Sequence, residues 1–193
     1  GLYSITFQDQ GAPPKSRVRP APALEGIDLA VVEGGPTDYA AITERAINEL
    51  GGIERFVKKG DRVALSPNMG WMRTPEQAAA THPDVLRKVV EMCQRAGASR
   101  ITCIDYTLDD WQMAFDICGA NAAVKGTKAQ LLSPTEEGMY GVMDIPATVP
   151  AKTLDGLDYA CIHRDNRLEQ KVPLEVLEAD SFIVIPVVKD HEA

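Results

Sequence analysis

Apolar and polar positions repeat along this chain with two different periods, and the switches between them mark out its elements. Residues 27–32 are almost entirely apolar and read as a buried strand, ending at the turn formers Glu33, Gly34, Gly35 and Pro36. Thr37 or Asp38 then suits the N-cap of a helix over 39–50, whose Ile42, Ala46, Ile47 and Leu50 fall on one stripe. Gly51 and Gly52 close it, as glycine does past a helix end. A short helical turn over 53–57 leads through Lys58, Lys59, Gly60 and Asp61 into a strand at 63–65. The next helix, 83–96, buries Val85, Leu86, Val89, Val90, Cys93 and Ala96; Thr81 is its expected N-cap and Gly97 its stop. Pro83 sits in its first turn, where a missing N–H costs nothing. A third strand follows at 101–104 with Asp105 at its carboxyl end, then a helix over 109–118.

Past Gly119 the pattern weakens. Short strands are expected at 130–132, 140–143 and 159–162, a short helix at 172–179, and the clearest late strand at 182–185. Strands alternating with amphipathic helices predict an α/β fold, a mostly parallel sheet with helices on both faces in a three-layer α/β/α arrangement. Residues 1–26 are Pro-rich and lack periodicity, which predicts an extended N-terminal tether ahead of an α/β domain over 27–193. The last residues, from Val187 to Ala193, follow directly on a strand, so this domain is expected to be a fragment of a longer domain or chain.

Composition adds mainly exclusions. With 193 residues, 45% hydrophobic and 25% charged, the chain can bury a core of its own. Its net charge of −8 argues against nucleic acid, which calls for clustered Lys and Arg. The expected partners are a small anionic molecule or a protein redox partner. No run approaches the ~18 apolar residues of a membrane span. The first residue is Gly and no signal peptide is visible, so two locations stay open: export to the periplasm or cell envelope after removal of a signal, or the cytoplasm. Cys93, Cys103, Cys118 and Cys161 form no paired CxxC spacing, so no iron–sulfur cluster is expected in this stretch. They read as small buried hydrophobes.

Chemistry concentrates in residues 67–81. A strand-to-helix connection needs only roughly 2–6 residues, and longer loops are usually functional or disordered. This one brings Asn68, Trp71, Arg73 and Thr81 up to His82. Ligands of open parallel sheets bind beyond the carboxyl ends of the strands. That rule groups Asn68 and Asp105 with Lys189 and His191, which follow the late strand. The start of the 83–96 helix lies on the same edge, where free N–H groups and the dipole favour an anion. Thr81 and His82 would then touch the ligand, and Arg73 would pair with it from the loop. Lys189 would hold a negative group, His82 or His191 would act as acid–base or metal ligand, and Asp105 would orient one of them.

Several alternatives stay open at this point. Thr81 is equally a plain cap and His82 a solvent-facing residue of the first turn. His82, His191 and Asp105 could instead hold zinc or iron, although their spacing is not a known ligand pattern. Trp71 either stacks on a ligand or covers the core, and His163 reads as a surface residue. No dinucleotide fingerprint, Walker loop or nucleophile elbow is present. The rival class is a non-catalytic scaffold or electron-transfer partner that offers Met69, Trp71 and Met72 as a protein interface.

Residues 50–68, from Leu50-Gly51-Gly52 through Lys59-Gly60-Asp61 to Pro67-Asn68, resemble the "domain of unknown function 362" family. So do Thr81-His82-Pro83-Asp84, the stretch from Ala96-Gly97-Ala98 to Asp105, and that from Ala179-Asp180 to Lys189-Asp190-His191. Two positions depart: Ser66 stands where the family usually has Lys before Pro-Asn, and Asp190 where it usually has Thr between Lys and His. The resemblance implies a functionally undefined, bacterial, redox-associated protein, since many relatives carry a cysteine-rich iron–sulfur module and many are exported by the twin-arginine route. The cysteines here do not match that module. More loosely, the strand–loop–helix–strand unit is similar to the N-terminal domain of nickel-pincer lactate racemases.

Overall fold

The computed structural model describes residues 17, 19, 29–35, 37–146 and 167–189. In chain order its elements are α1 (Tyr39–Glu49), β1 (Arg62–Pro67), α2 (Pro83–Arg95), β2 (Arg100–Ile104), α3 (Trp111–Ile117), α4 (Ala120–Val124), β3 (Ala129–Leu132), β4 (Tyr140–Pro146), β5 (Arg167–Pro173), α5 (Leu174–Leu177) and β6 (Ser181–Ile185). Four strands pair in the order β3-β2-β1-β6, all parallel, and β4 and β5 form a separate antiparallel pair. This is the expected α/β fold with a mostly parallel sheet.

Alternation along the strands decides what each face meets. Val63 and Leu65 of β1 and Ile101 and Cys103 of β2 share one face, and they join one buried cluster with Leu86, Val89, Val90 and Cys93 of α2. Phe115, Ala120 and Ala123 from α3 and α4 complete that cluster, and Ile47 of α1 packs against it. So α1 to α4 all lie on one side of the sheet. Thr102 faces the other way, where its Oγ1 donates to the Glu175 carboxylate of α5 at 3.4 Å and Arg100 forms an ion pair with the same carboxylate at 2.6 Å. Cys93, Cys103 and Cys118 are buried. Burial pushes the Cys93 and Cys103 thiols up to about 12, which leaves them inert at neutral pH.

Two glycines are required by the turns they make. Gly97 ends α2 at φ +88°, and Gly119 joins α3 to α4 at φ +82° with the Pro83 ring where its side chain would be. α3 and α4 are therefore two separate short helices. The first was expected as one helix over 109–118; the second has only small residues and no periodic contrast.

Three expectations need correction. Residues 29–32 form no strand, and Leu29 and Val31 are 76% and 85% exposed. The N-cap of α2 is His82, one residue later than Thr81, with its Nδ1 accepting the Asp84 N–H at 3.2 Å. The expected helix over 172–179 shrinks to α5, because Val172 and Pro173 belong to β5. The strand expected at 159–162, together with His163 and Cys161, lies outside the described residues. Within the expected tether, Arg17 and Arg19 donate their backbone N–H groups to the carbonyls of Leu177 and Asp180, at 2.9 and 3.0 Å, beside the entry to β6.

The carboxyl edge of the sheet as candidate site

β1 lies between β2 and β6, so the carboxyl ends of these three strands adjoin. They bring Asn68, Asp105 and Lys189 to one edge, where the 67–81 loop and the start of α2 also sit. His191 lies outside the described residues.

Each end of the loop is held by a side chain from another strand or by a strand carbonyl. At its start, the Asp105 carboxylate accepts the Met69 N–H at 2.5 Å and also takes hydrogen bonds from the Tyr106 and Gly70 amides. Burial raises the Asp105 carboxyl above the ordinary aspartate range; the three amides and the Lys189 charge pull the other way and do not cancel it. Gly70 is needed here, because a β-carbon would lie 3.1 Å from the Tyr106 carbonyl oxygen and 3.5 Å from the carboxylate. At the loop's end, the buried Thr81 hydroxyl accepts the Asn68 N–H at 2.9 Å and donates to the Ile185 carbonyl at 2.6 Å. Thr81 also donates its own N–H to the Asn68 carbonyl at 2.9 Å. Thr81 thus closes the loop on itself and ties it to β6.

His82 is the residue of this edge with chemistry to spare. Its ring stacks on Tyr39 of α1, with centroids 3.7 Å apart and planes at 14°. Since Nδ1 accepts from the Asp84 amide, the neutral imidazole carries its proton on Nε2. A cavity of about 220 Å³ opens beside it, lined also by Tyr39, Ala80, Val85, Pro186 and Val187. The lining is mainly apolar, with Tyr39, Thr81 and His82 as its members that carry polar groups.

The other expected contacts are dispersed. The exposed Lys189 donates its ammonium to the Ala79 carbonyl at 2.7 Å, on the last stretch of the loop. Arg73 points outward, with its guanidinium on the Met72 carbonyl at 3.0 Å. Met69 is 1% exposed and lies in the core, while Trp71 and Met72 are half-buried. Among the described residues no cluster of three His, Cys, Asp or Glu side chains could hold a metal ion. The metal reading that needs His191 lies outside them.

Tyr39 and the Pro186–Val187 wall were not singled out from the sequence. Tyr39 opens a helix far from His82 in the chain, and only the packing of α1 beside α2 brings the rings together. The exposed side chains Tyr106, Leu108, Trp111 and Met113 were missed as well; they flank the loop on the connection from β2 into α3. No helix among the described residues is long and apolar enough to cross a membrane.

Residues 63–193 match the model of a family described as "Domain of unknown function (DUF362)". A 51-residue stretch, 26% of this chain, is 41% identical to Thylakoid-associated protein sll1697 of Synechocystis sp. and spans 16% of that protein's length. No solved structure matches the chain significantly.

Proposed function

The chain belongs to the domain of unknown function 362 family, and on that premise we propose that it binds a small organic anion at the carboxyl edge of its sheet. The carrying observation is the cavity of about 220 Å³ walled by apolar groups and by His82, whose Nε2–H is its remaining donor. This volume lies below the roughly 300–1,000 Å³ of drug-sized sites. It suits a short-chain carboxylate, with the apolar body against Val85 and Pro186 and the charged end toward His82. The amino-terminal end of α2 adds a favourable field for the negative group. Lys189, Arg73 and Asn68 lie outside the lining of this cavity and would act on the anion only from the surrounding edge. Asp105 acts as a positioning residue that fixes the loop, and His82 is the group able to give or take a proton.

The redox association, the iron–sulfur context and export remain part of this proposal. They are carried by the resemblance to the family and are compatible with the name of the thylakoid-associated relative. Titration of the chain with short-chain carboxylates and inorganic phosphate, followed by NMR, tests the site. Saturable shifts at Tyr39, His82 and Val187, weakened at least tenfold in His82→Asn, are expected. Shifts spread over the surface without saturation would remove the proposal.

A second reading, a non-catalytic scaffold or electron-transfer partner, is favoured by the exposed Tyr106, Leu108, Trp111 and Met113. The interface would then lie on the β2–α3 connection, since the loop's own Met69 is in the core. A Leu108→Asp, Met113→Asp double variant that keeps carboxylate binding but loses a protein partner would support it.

A further inference from the structure

β6 is the edge of the sheet: among the described residues it pairs with β1 alone. Beside its free edge lies a groove of about 870 Å³, far larger than the cavity at the carboxyl edge. It is walled by Ile47, Leu50 and Phe56 on one side and Phe182, Ile183 and Val184 on the other. Ala46 and Ile47 of α1 and the adjoining Leu50 line this space, and no residue of α1 is fully buried. Phe182 and Val184 remain 39% and 56% exposed. An amphipathic helix and a free strand edge facing one apolar groove call for a strand between them.

We infer that this strand is supplied by the chain itself, by Leu29, Ala30, Val31 and Val32, which form no strand in this structure and would close onto β6 as a parallel fifth strand. Three observations select this occupant. Arg17 and Arg19 are already hydrogen-bonded to Leu177 and Asp180 at the start of β6, and the Arg19 guanidinium is held by Asp61 and Ser181. Tyr39, at the start of α1, lies against His82 at the opposite end of the sheet. Residues 29–32 fall between these two anchors in the sequence, and β6 as a five-residue strand is about 17 Å long. Second, Leu29 and Val31 stand two apart and are 76% and 85% exposed, the spacing that puts two apolar side chains on one face of a strand. Third, the connection would obey the handedness rule. A step from that edge through α1 to β1 crosses the sheet in the same direction, over the same face, as the steps through α2 to β2 and through α3 and α4 to β3. Docking carries Glu33, Gly34 and Gly35 to the carboxyl edge beside Tyr39, so the strand would wall the ligand cavity on its open side.

Hydrogen exchange on the whole chain tests this, with Leu29→Asp, Val31→Asp as the informative variant. Both side chains are solvent-exposed when undocked, so the double variant then leaves exchange and stability unchanged, and that result overturns the inference. Docking instead predicts at least tenfold faster exchange of β6 amides in the variant than in the parent. A second measurement pairs Val31→Cys with Val184→Cys: a disulfide formed under mild oxidation at low protein concentration supports the docked strand. Protection of β6 that rises with protein concentration, with a dimer in sedimentation, would place a second copy in the groove and overturn the inference.

Discussion

The hydroxyl of Thr81 donates to the carbonyl oxygen of Ile185 at 2.6 Å while it accepts the backbone N–H of Asn68 at 2.9 Å. One buried side chain therefore joins the end of β1, the end of the long loop and the end of β6. Thr81→Ala leaves a buried N–H and a carbonyl without their partner and should cost about 1–3 kcal/mol in urea unfolding. Thr81→Ser should recover most of this. Equal losses in both variants would show that the methyl group, not the hydroxyl, matters.

His82 combines a cap and a candidate ligand donor, and one substitution separates them. Asn is among the best N-cap residues, so His82→Asn should stay within about 0.5 kcal/mol of the parent after losing the Tyr39 stack. His82→Ala should lose about 1 kcal/mol through the cap. Thermal and urea unfolding of the two variants, set beside their carboxylate affinities, distinguishes the roles.

The Asp61 carboxylate is buried, which raises its pKa, but the hydrogen bonds from the Arg19 guanidinium, the Lys58 amide and Ser181 outweigh that and hold it below the ordinary aspartate value. A lowered folded pKa means that the stability Asp61 contributes is complete above about pH 4 and is lost as acidification passes through the folded value. Asp61→Asn should therefore flatten the acid limb of a stability–pH curve measured by urea unfolding between pH 2 and 5. At pH 7 the variant should be less stable than the parent by about 1–3 kcal/mol, because a charged acceptor of buried donors is gone.

Asp105 has the opposite sign. Its folded pKa is raised, so its contribution is present below about pH 4 and fades as pH rises through the folded value. Asn cannot ionise and shows no such fading. The stability gap between the parent and Asp105→Asn should consequently narrow as pH climbs from 4 to 7. A gap that widens over that range would mean that the three amides dominate the carboxylate.

Gly119 holds φ +82°, with the Pro83 ring 3.2 Å from the position of a β-carbon. Gly119→Ala should lower stability by about 1–2 kcal/mol, since it combines a left-handed backbone with a contact at the first turn of α2. Gly126, also at positive φ but with open space around it, is the control and should lose only the backbone part.

How far the fold was legible follows from the kind of signal each element carries. α1, α2, β1, β2 and β6 have strong apolar periodicity, and their type and order could be read directly. α4 could not, because Ala120 to Val124 offers small residues without a polar face. β5, Arg167 to Pro173, is highly polar and pairs outside the main sheet, so its signal is a partner rather than a pattern. The carboxyl-edge rule grouped Asn68, Asp105, Lys189 and His191; the first three lie at that edge in the structure, and His191 lies outside the described residues. Local capping rules put the helix cap on Thr81 because nothing in its neighbourhood reveals a hydrogen bond to Ile185, 104 positions away. The same blindness to distant partners hid the stack of Tyr39 on His82.

Because Asp105 secures the loop at Met69 and Gly70 while Thr81 secures it at Asn68 and Ile185, the stretch from Trp71 to Ala79 is strung between two fixed posts, with Met72 packed on the core beneath it. Substitutions within the exposed residues 73, 74 and 76–78 should therefore disturb the sheet beneath less than a change at Asp105 or Thr81.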